Sequence, residues 1–484
     1  MTASTLKEKT ARSLFWSFVD KFGQQIINFA SMLVLMNTVA TEAYGMFGAL
    51  ALFTSFSGIL IDGGFARVLI NRKDLSSKDY SSVFFLNIGL GAFFYLLLFF
   101  LAPFIADLFH TSALTDVARV LFIAFFLNAF SIVPQTILTK KADFKGITKW
   151  NFWALFLADI AAIGMSFLQL QVWALVTQVV LYAFFRTLFL WIYSGWRPVR
   201  KFCGKRLRLF FGFGNRLLLT SMVVSIINNL YPSLIALFYP LNRVAFFNQA
   251  KKYQEIPFLM LSNTFRQVAM LILSEVNEDQ ERMERVFVKF IKSVAFLASP
   301  VGFLMVLVAE PLFFLFFKEK WLPAVPCFQI LTFAGMFSPY LLIFHELFIS
   351  RERSELFLGL EIAKGAILML LIYLFFPKGI MGLSISWVLY TLIATLLSAY
   401  FSCKVIPYSF FKFARDVSPY LILSAISAAI SHFATLFITN RLFFILVNTI
   451  MVGLLYVILC KLFRLEMTKE IDEWFVNLKR KKNN

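Results

Sequence analysis

The chain has 484 residues, of which 60% are hydrophobic and only 15% are charged, with a mean hydropathy of +0.77. This composition excludes an ordinary soluble domain and indicates a polytopic membrane protein. The net charge of +19 does not indicate nucleic-acid binding, because the basic patches are short and lie between apolar spans. The four cysteines and three histidines are scattered, so no metal site, disulfide framework or cofactor is expected.

Fourteen apolar runs are long enough to cross the roughly 30 Å of hydrocarbon in a bilayer. They lie at 14–39, 44–70, 81–108, 117–139, 148–168, 172–193, 209–239, 244–274, 287–317, 322–349, 356–376, 379–402, 417–438 and 442–463. The first run has a basic start but no small-residue cleavage site after it, so we expect an uncleaved first helix. The predicted fold is an all-α polytopic membrane protein with about 14 transmembrane helices.

Lysine and arginine concentrate in every second loop. The loops that follow even-numbered runs carry between two and six of them, whereas "NTVATEA" and "LQLQ" have none and "YPLNRV" has one. By the positive-inside rule both termini are expected in the cytoplasm, as an even number of spans requires. We therefore expect a multi-pass membrane protein with this orientation.

The longest basic loop, "GWRPVRKFCGKRLRLFFGFG", separates the sixth and seventh runs. A weak internal similarity relates "FGQQIINF" at Phe22 to "FGNRLLLT" at Phe213, each early in the first helix of a half. Two six-helix repeats with a substrate site between them are a common transporter plan. We predict an N-lobe at 1–196, a basic linker at 197–208, a C-lobe at 209–403, and two further helices with a basic tail at 404–484.

Several charged residues fall within the apolar runs, where an ionised side chain is costly. Lys21 lies about 10 Å from the cytoplasmic end of the first run and Asp62 about 12 Å from that of the second, at 1.5 Å per residue. We predict an ion pair between them, with gating or structural value, in which Asp20 is the less favoured partner. Arg67 lies only about 4.5 Å deep. It either lines a cavity or extends to the headgroups.

The second half repeats this geometry with more positive charge. Arg216 and Arg266 occupy depths that correspond to those of Lys21 and Asp62, and Arg186 lies about seven residues from the end of the sixth run. Lys251 and Lys252 add positive charge nearer the outer face. Arginine binds phosphate oxygens in a bidentate manner, so a buried cationic cavity predicts an anionic cargo. The alternative is that each charge neutralises an internal partner.

Two local pairs illustrate that alternative: Glu361 with Lys364 at i,i+3, and His345 with Glu346. Asp159 lies in the middle of the fifth run without a close sequence partner. It is either a protonation or cation site that couples transport to a gradient, or a side chain that bonds a neighbouring helix.

Several motifs resemble those of the bacterial polysaccharide transporter family, which belongs to the multidrug/oligosaccharidyl-lipid/polysaccharide exporter superfamily. They are "DGGFARVLINRKDLSSKDYSSVFF" (62–85), "LAPFIADLF" (101–109), "VWALVTQ" (172–178), "LWIYSGWRP" (190–198) and "KEKWLPAVPCFQIL" (318–331). The resemblance runs from about residue 6 to residue 400. "NRVAFFNQAKKY" and "SRERSELFL" depart from the family pattern. The departures concern the start of the eighth helix and one cytoplasmic loop rather than the implied function.

The resemblance implies a fourteen-helix bacterial inner-membrane protein. Its two six-helix lobes would surround a central cavity that opens alternately to each side of the membrane. The implied cargo is an undecaprenyl-diphosphate-linked oligosaccharide, flipped to the periplasmic leaflet for O-antigen or exopolysaccharide synthesis. The implied partners are this glycan and membrane lipids, with glycosyltransferases and a polymerase of the same pathway as further candidates. Such a flippase is not an enzyme.

Three alternative functions agree less well with the sequence. A drug or cation antiporter of the same superfamily would favour acidic cavity residues, whereas the bias here is basic. A membrane polymerase or ligase would need a sizeable outer loop with catalytic groups, and none is long enough to fold. A structural scaffold would not need buried charges.

Overall fold

The computed structural model describes residues 23–55, 69, 75–199, 225, 229–275, 279–351, 354–470 and 473. These residues form helices and connecting segments, without any strand. Two compact units follow from the packing, Met1–Ala245 and Phe246–Asn484. The predicted all-α class is therefore confirmed, whereas the lobe boundaries near the basic linker stay a prediction.

The described residues of the first unit include eight helical segments. They are α1 (Gly23–Thr38), α2 (Thr41–Ala49), α3 (Ser77–Leu108), α4 (Leu114–Leu121), α5 (Ile123–Lys140), α6 (Phe144–Phe167), α7 (Val172–Ser194) and α8 (Asn229–Phe238). α1 and α2 meet at a bend of 120°.

The second unit contains the remaining long helices. They are α9 (Leu241–Glu275), which begins five residues before the unit boundary, α10 (Gln280–Phe317), α11 (Val325–Ser350), α12 (Ser354–Phe375), α13 (Gly379–Ser402), α14 (Phe410–Thr435) and α15 (Arg441–Leu462). Short 3-10 helices, Glu319–Ala324 and Phe376–Lys378, precede α11 and α13.

Nine helical stretches among the described residues are long and apolar enough to cross a membrane, or ten if the bent pair α1–α2 is one span. One of the nine, Gly359–Ser402, joins α12 and α13. The protein is therefore a multi-pass membrane protein, and the count of fourteen is not confirmed. α9, which carries Lys251, Lys252 and Glu255 in its first half, is not among the nine.

The proline residues within these helices each remove one backbone N–H donor and free the carbonyl four residues earlier. Pro300 in α10 frees the carbonyl of Phe296, and the Tyr456 hydroxyl of α15 donates to that oxygen at 3.0 Å. In the first unit, Pro103 of α3 frees the Phe99 carbonyl, which accepts from Arg119 Nε at 3.5 Å. Hydrocarbon offers no water for such oxygens, so a neighbouring helix supplies the donor.

The last two helices pack closely on α10 and on each other. Ser431 Oγ of α14 donates to Asn448 Oδ1 of α15 at 2.7 Å, and Asn448 is fully buried. At the other end of α14, Lys292 of α10 forms ion pairs with Asp416 and with Glu466, which follows α15. α14 and α15 are therefore integral parts of the second unit.

We expect the change Tyr456→Phe to lower the free energy of unfolding by about 1 kcal/mol, because the Phe296 carbonyl loses its donor inside the membrane. The melting temperature of the purified protein in lipid nanodiscs should fall by a few degrees. Tyr373→Phe is the matched control, because Tyr373 is 78% exposed on α12. An equal effect of both changes would contradict the assignment.

Candidate functional site

Half of the predicted site residues lie outside the described part of the chain. The pair Lys21–Asp62 therefore remains a prediction, and Arg266 is described only through its backbone in α9. The predicted residues that lie outside the described residues are Asp20, Lys21, Asp62, Arg67 and Arg216, and those with described side chains are Arg186, Asp159, Lys251 and Lys252.

Arg186 of α7 is held against α5 by neutral groups. Its Nη1 donates to Asn128 Oδ1 at 3.4 Å, and its Nη2 donates to Gln135 Oε1. Asn128 and Gln135 lie two helical turns apart on α5, so together they fix both ends of the guanidinium. Neither amide carries a charge, and no described carboxylate lies within ion-pair distance of Arg186. The side chain is half-buried, and its Nε is buried without an acceptor.

The position of Arg186 depends on how α7 is fastened to α5. Pro134 frees the carbonyl of Phe130, and the indole Nε1 of Trp191 donates to it at 2.8 Å. One turn earlier on α7, Thr187 Oγ1 donates to the Leu127 carbonyl at 2.9 Å. These two bonds set the register of the helix pair. The Arg186 guanidinium is thereby placed opposite its two amides before any ligand binds.

Asp159 joins three helices of the first unit. Its carboxylate is 3% exposed, and Oδ1 accepts from Gln178 Nε2 of α7 at 2.7 Å. The same Gln178 nitrogen donates to Ser31 Oγ of α1 at 3.3 Å. The alternative that Asp159 bonds a neighbouring helix is therefore confirmed, whereas its use in coupling stays a prediction. Buried alanines at 158 and 162 let α6 approach α7 closely.

The two adjacent lysines of α9 lie in different environments. Lys251 is only 7% exposed, and its Nζ lies 3.7 Å from the ring centroid of Trp387 on α13 and 4.0 Å from Glu255 Oε1, one turn further on. Lys252 is exposed. Successive helical residues point about 100° apart, which separates them. In this conformation the Lys251 charge is stabilised by a cation–π contact and a nearby carboxylate.

A third charged group joins α11 to α12. The predicted pair Glu361–Lys364 is confirmed, with Lys364 Nζ at 2.9 Å from Glu361 Oε1. The sequence analysis predicted a pair between His345 and its neighbour Glu346. In the structure, His345 Nε2 lies 3.1 Å from Oε1 of Glu361 on the neighbouring helix. Sequence spacing gave no signal for this contact, since sixteen residues separate His345 from Glu361.

Other polar partners also escaped the sequence interpretation: Asn128, Gln135, Gln178 and Trp387. Glu255 was visible in the sequence at i+4 from Lys251, a spacing that brings helical side chains together. Within the described residues, no group of three or more His, Cys, Asp or Glu side chains is arranged to hold a metal ion.

Comparison with known proteins identifies the family. The model of a family described as "Polysaccharide biosynthesis protein" matches residues 34–326, which is more than half of the chain. The chain belongs to this polysaccharide biosynthesis protein family. The family resemblance predicted from the separated motifs is thus confirmed.

Relatives of this polysaccharide biosynthesis protein include two curated bacterial proteins. The teichuronic acid biosynthesis protein TuaB of Bacillus subtilis is 25% identical over 323 residues, which cover 66% of this chain and 67% of TuaB. The lipopolysaccharide biosynthesis protein WzxC of Escherichia coli is 22% identical over 415 residues, which cover 83% of this chain and 82% of WzxC.

The fold of this polysaccharide biosynthesis protein is shared with a solved structure. The lipid II flippase MurJ, in an inward closed conformation, superposes with a TM-score of 0.75 at 16% identity. The match covers 93% of this chain and 98% of MurJ. At this level of identity the likeness concerns the fold.

The contact between Lys251 and Trp387 can be measured with a double-mutant cycle. Lys251→Met and Trp387→Leu are made singly and together, and the free energy of unfolding of each variant is measured in nanodiscs. We expect a coupling energy of about 0.5–2 kcal/mol, because each change removes one partner of the cation–π contact.

Trp387→Phe should retain part of that coupling, since it keeps a smaller aromatic face. Purely additive losses would mean that the Lys251 ammonium is not held by the Trp387 ring in the resting protein.

Proposed function

We propose that this protein is a flippase for a lipid-linked oligosaccharide, which it moves from the cytoplasmic to the periplasmic leaflet of the bacterial inner membrane by alternating access. The observation that carries the proposal is Arg186, a cation among apolar helices whose described partners are neutral amides. The family of polysaccharide biosynthesis proteins and the relatives TuaB and WzxC support a cargo made for surface polysaccharide.

The chemistry of the cargo explains why an arginine is needed. In an undecaprenyl-diphosphate-linked glycan the apolar polyprenyl chain dissolves in the hydrocarbon core of the bilayer. The charged diphosphate does not, because its transfer into hydrocarbon is costly. A guanidinium matches two phosphate oxygens at once. Asn128 and Gln135 hold the Arg186 guanidinium without neutralising it, so the side chain keeps a full charge for an incoming anion. The buried Nε–H of Arg186 is a further donor in that position.

The other predicted cations are proposed to share this task along the path of the diphosphate: Lys21, Arg67, Arg216, Arg266, Lys251 and Lys252. Lys251 would bind cargo only after leaving Trp387, and it therefore serves a state different from the one described here. Asp62, with Asp20 as the lesser candidate, is proposed as the ion-pair partner of Lys21.

Asp159 is proposed as the group that couples transport to an ion gradient. It touches Gln178, which lies eight residues before Arg186 on the same helix α7, so the two sites are about 12 Å apart along the axis. A change in the charge of Asp159 would alter its bond to Gln178 and the contact of Gln178 with Ser31. This provides a mechanical link between α1, α6 and α7.

The basic loops support a cytoplasmic location of both termini, and glycosyltransferases and a polymerase of the same pathway are the proposed protein partners. The proposed organisation is two six-helix lobes with a basic linker at 197–208 and two final helices at 404–484.

The experiment that tests the function uses purified protein in liposomes that contain a fluorescent undecaprenyl-diphosphate-linked oligosaccharide. A membrane-impermeant reductant reports the fraction of lipid in the outer leaflet. We expect the wild type to equilibrate the lipid between leaflets and Arg186→Gln to lower the rate at least ~10-fold, because a charge-assisted phosphate contact of about 1.5–3 kcal/mol is lost. Arg186→Lys should be intermediate, since it keeps the charge but not the planar fork.

Arg243→Gln is the matched control, because Arg243 is exposed at the start of α9. Binding of undecaprenyl diphosphate, undecaprenyl phosphate and undecaprenol is measured in parallel by native mass spectrometry. Wild-type flipping that Arg186→Gln leaves unchanged would remove Arg186 from the site. If the wild type binds none of the phosphorylated lipids and flips no glycan lipid, the cargo proposal is wrong and another exporter function follows.

The coupling role of Asp159 is tested with Asp159→Asn, which keeps an acceptor for Gln178 but removes the ionisable group. We expect an imposed proton or sodium gradient to accelerate flipping by the wild type and to have at most a small effect on the variant. Asp116→Asn, at an exposed position on α4, should respond like the wild type. An unchanged gradient response in Asp159→Asn would assign the carboxylate a purely structural role.

A further inference from the structure

The second unit contains three titratable side chains in mutual contact within its membrane helices. Lys364 Nζ lies 2.9 Å from Glu361 Oε1, His345 Nε2 lies 3.1 Å from the same oxygen, and Lys364 Nζ lies 3.4 Å from His345 Nε2. His345 is on α11, whereas Glu361 and Lys364 lie one turn apart on α12. All three lie within stretches that are apolar enough to cross a membrane.

The charges of this cluster do not balance for every protonation state. An ionised Glu361 and an ionised Lys364 neutralise each other, which leaves the cluster uncharged as long as His345 is neutral. His345 shares the carboxylate oxygen that Lys364 already uses, so it must present an N–H at Nε2. A second proton, on Nδ1, would add one positive charge beside Lys364 and strengthen the bond to Glu361.

The three side chains differ in exposure. Lys364 is 3% exposed and Glu361 is 9% exposed, whereas His345 is 23% exposed. The imidazole is therefore the most exposed group of the cluster, and the ion pair is more deeply buried. Histidine is also the side chain whose ordinary titration falls near neutral pH.

Other titratable groups lie on the two helices of the cluster and on the elements that pack against them. Glu346, the neighbour of His345 on α11, is buried, and α13, which packs on α11 and α12, carries no Asp, Glu, Lys, Arg or His. On α10, Lys289 is paired with Glu470, and Lys292 with Asp416 and Glu466. The remaining groups are Cys327 and Tyr340 of α11, Glu355 and Tyr373 of α12, Glu281, Arg282, Glu284, Arg285 and Glu310 of α10, Arg243, Lys251, Lys252, Tyr253, Glu255 and Arg266 of α9, Tyr390 and Tyr400 of α13, Glu319 and Lys320 of the 3-10 helix before α11, and Lys378 of the 3-10 helix before α13.

We propose that His345, Glu361 and Lys364 form a proton-binding site of the second unit, in which His345 reversibly takes up one proton and the Glu361–Lys364 pair sets its affinity. The protonated imidazole forms a second charge-assisted bond from α11 to α12. Loss of the proton from Nδ1 weakens this bond to an uncharged Nε2–H hydrogen bond, while the ion pair between Glu361 and Lys364 remains. The site is separate from Asp159, which belongs to the first unit.

Proton binding is measured directly by chemical modification of His345. The chain has three histidines, and His110→Asn with His432→Asn leaves His345 as the single one. The full-length protein in nanodiscs is treated with diethyl pyrocarbonate, which reacts with neutral imidazole, between about pH 5 and pH 9. Peptide mass spectrometry gives the initial rate of modification of His345 at each pH. We expect a curve that fits a single proton.

Two substitutions should move this curve in opposite directions. Glu361→Gln removes the negative charge that favours imidazolium, so the midpoint of the rate–pH curve should move to lower pH. Lys364→Met removes the opposing positive charge, so the midpoint of the rate–pH curve should move to higher pH. Each shift should correspond to at least about a tenfold change in proton affinity, or one pH unit. The double variant restores the charge balance and should lie between the two.

The controls separate charge effects from misfolding. Glu310→Gln and Lys378→Met remove exposed charges elsewhere in the second unit and should leave the curve unchanged. Each variant is checked by gel filtration and thermal unfolding, and the charge-balanced double variant remains testable if a single variant does not fold. Modification of His345 that is independent of pH, or no modification at any pH, would overturn the proposal. A curve unmoved by both charge changes in folded protein would also overturn it.

A second measurement asks whether the proton matters for transport, and it rests on the proposed flippase function. Flipping is measured with the same pH on both sides of the liposome, for the wild type and for His345→Gln. We expect the wild-type rate to change with pH around the midpoint found by modification, and His345→Gln to abolish that dependence. A proton-binding curve without any wild-type flipping would leave the site standing and refute the flippase. An identical pH dependence in both proteins would separate the proton site from transport.

Discussion

A polar group within the membrane is stabilised by a partner inside the protein, because hydrocarbon supplies none. The helix prolines make this requirement visible. Pro103, Pro134 and Pro300 each free the carbonyl four residues earlier, and in each case a side chain from another helix donates to that oxygen: Arg119, Trp191 and Tyr456. At these three positions the proline does more than bend its helix, since the freed carbonyl is bonded by a particular residue of a neighbouring helix.

The same constraint accounts for the different environments of the buried charges. Glu361 has two donors, and Lys251 has an aromatic face with a carboxylate near it, so both are satisfied within the second unit. The side-chain amides bonded to Arg186 fix the position of its guanidinium but do not neutralise its charge. A protein that only needed stability would gain from a carboxylate beside that guanidinium. The choice of amides therefore favours a transient anionic partner over a permanent one.

The positions of the membrane helices could be predicted from the sequence because apolar length is a local property. The run predicted at 148–168 is the helix Phe144–Phe167, and the one at 442–463 is Arg441–Leu462. The i,i+3 pair Glu361–Lys364 was predictable for the same reason. The partners of Arg186 and Asp159 were not, since helix facing depends on packing with helices far away in the chain. The prolines were visible in the sequence, but the residues that donate hydrogen bonds to the carbonyls they free could not be predicted from it.

The bond between Tyr456 and the Phe296 carbonyl joins residues that are 160 positions apart. A ribosome that adds about 5–20 residues per second delivers Tyr456 roughly 8 to 32 s after Phe296. During that interval the carbonyl must rely on a temporary donor, such as water or another protein at the insertion site. The final packing of α10 is therefore completed only when α15 has been synthesised. The order in which the helices are synthesised therefore differs from the order in which their mutual contacts are completed.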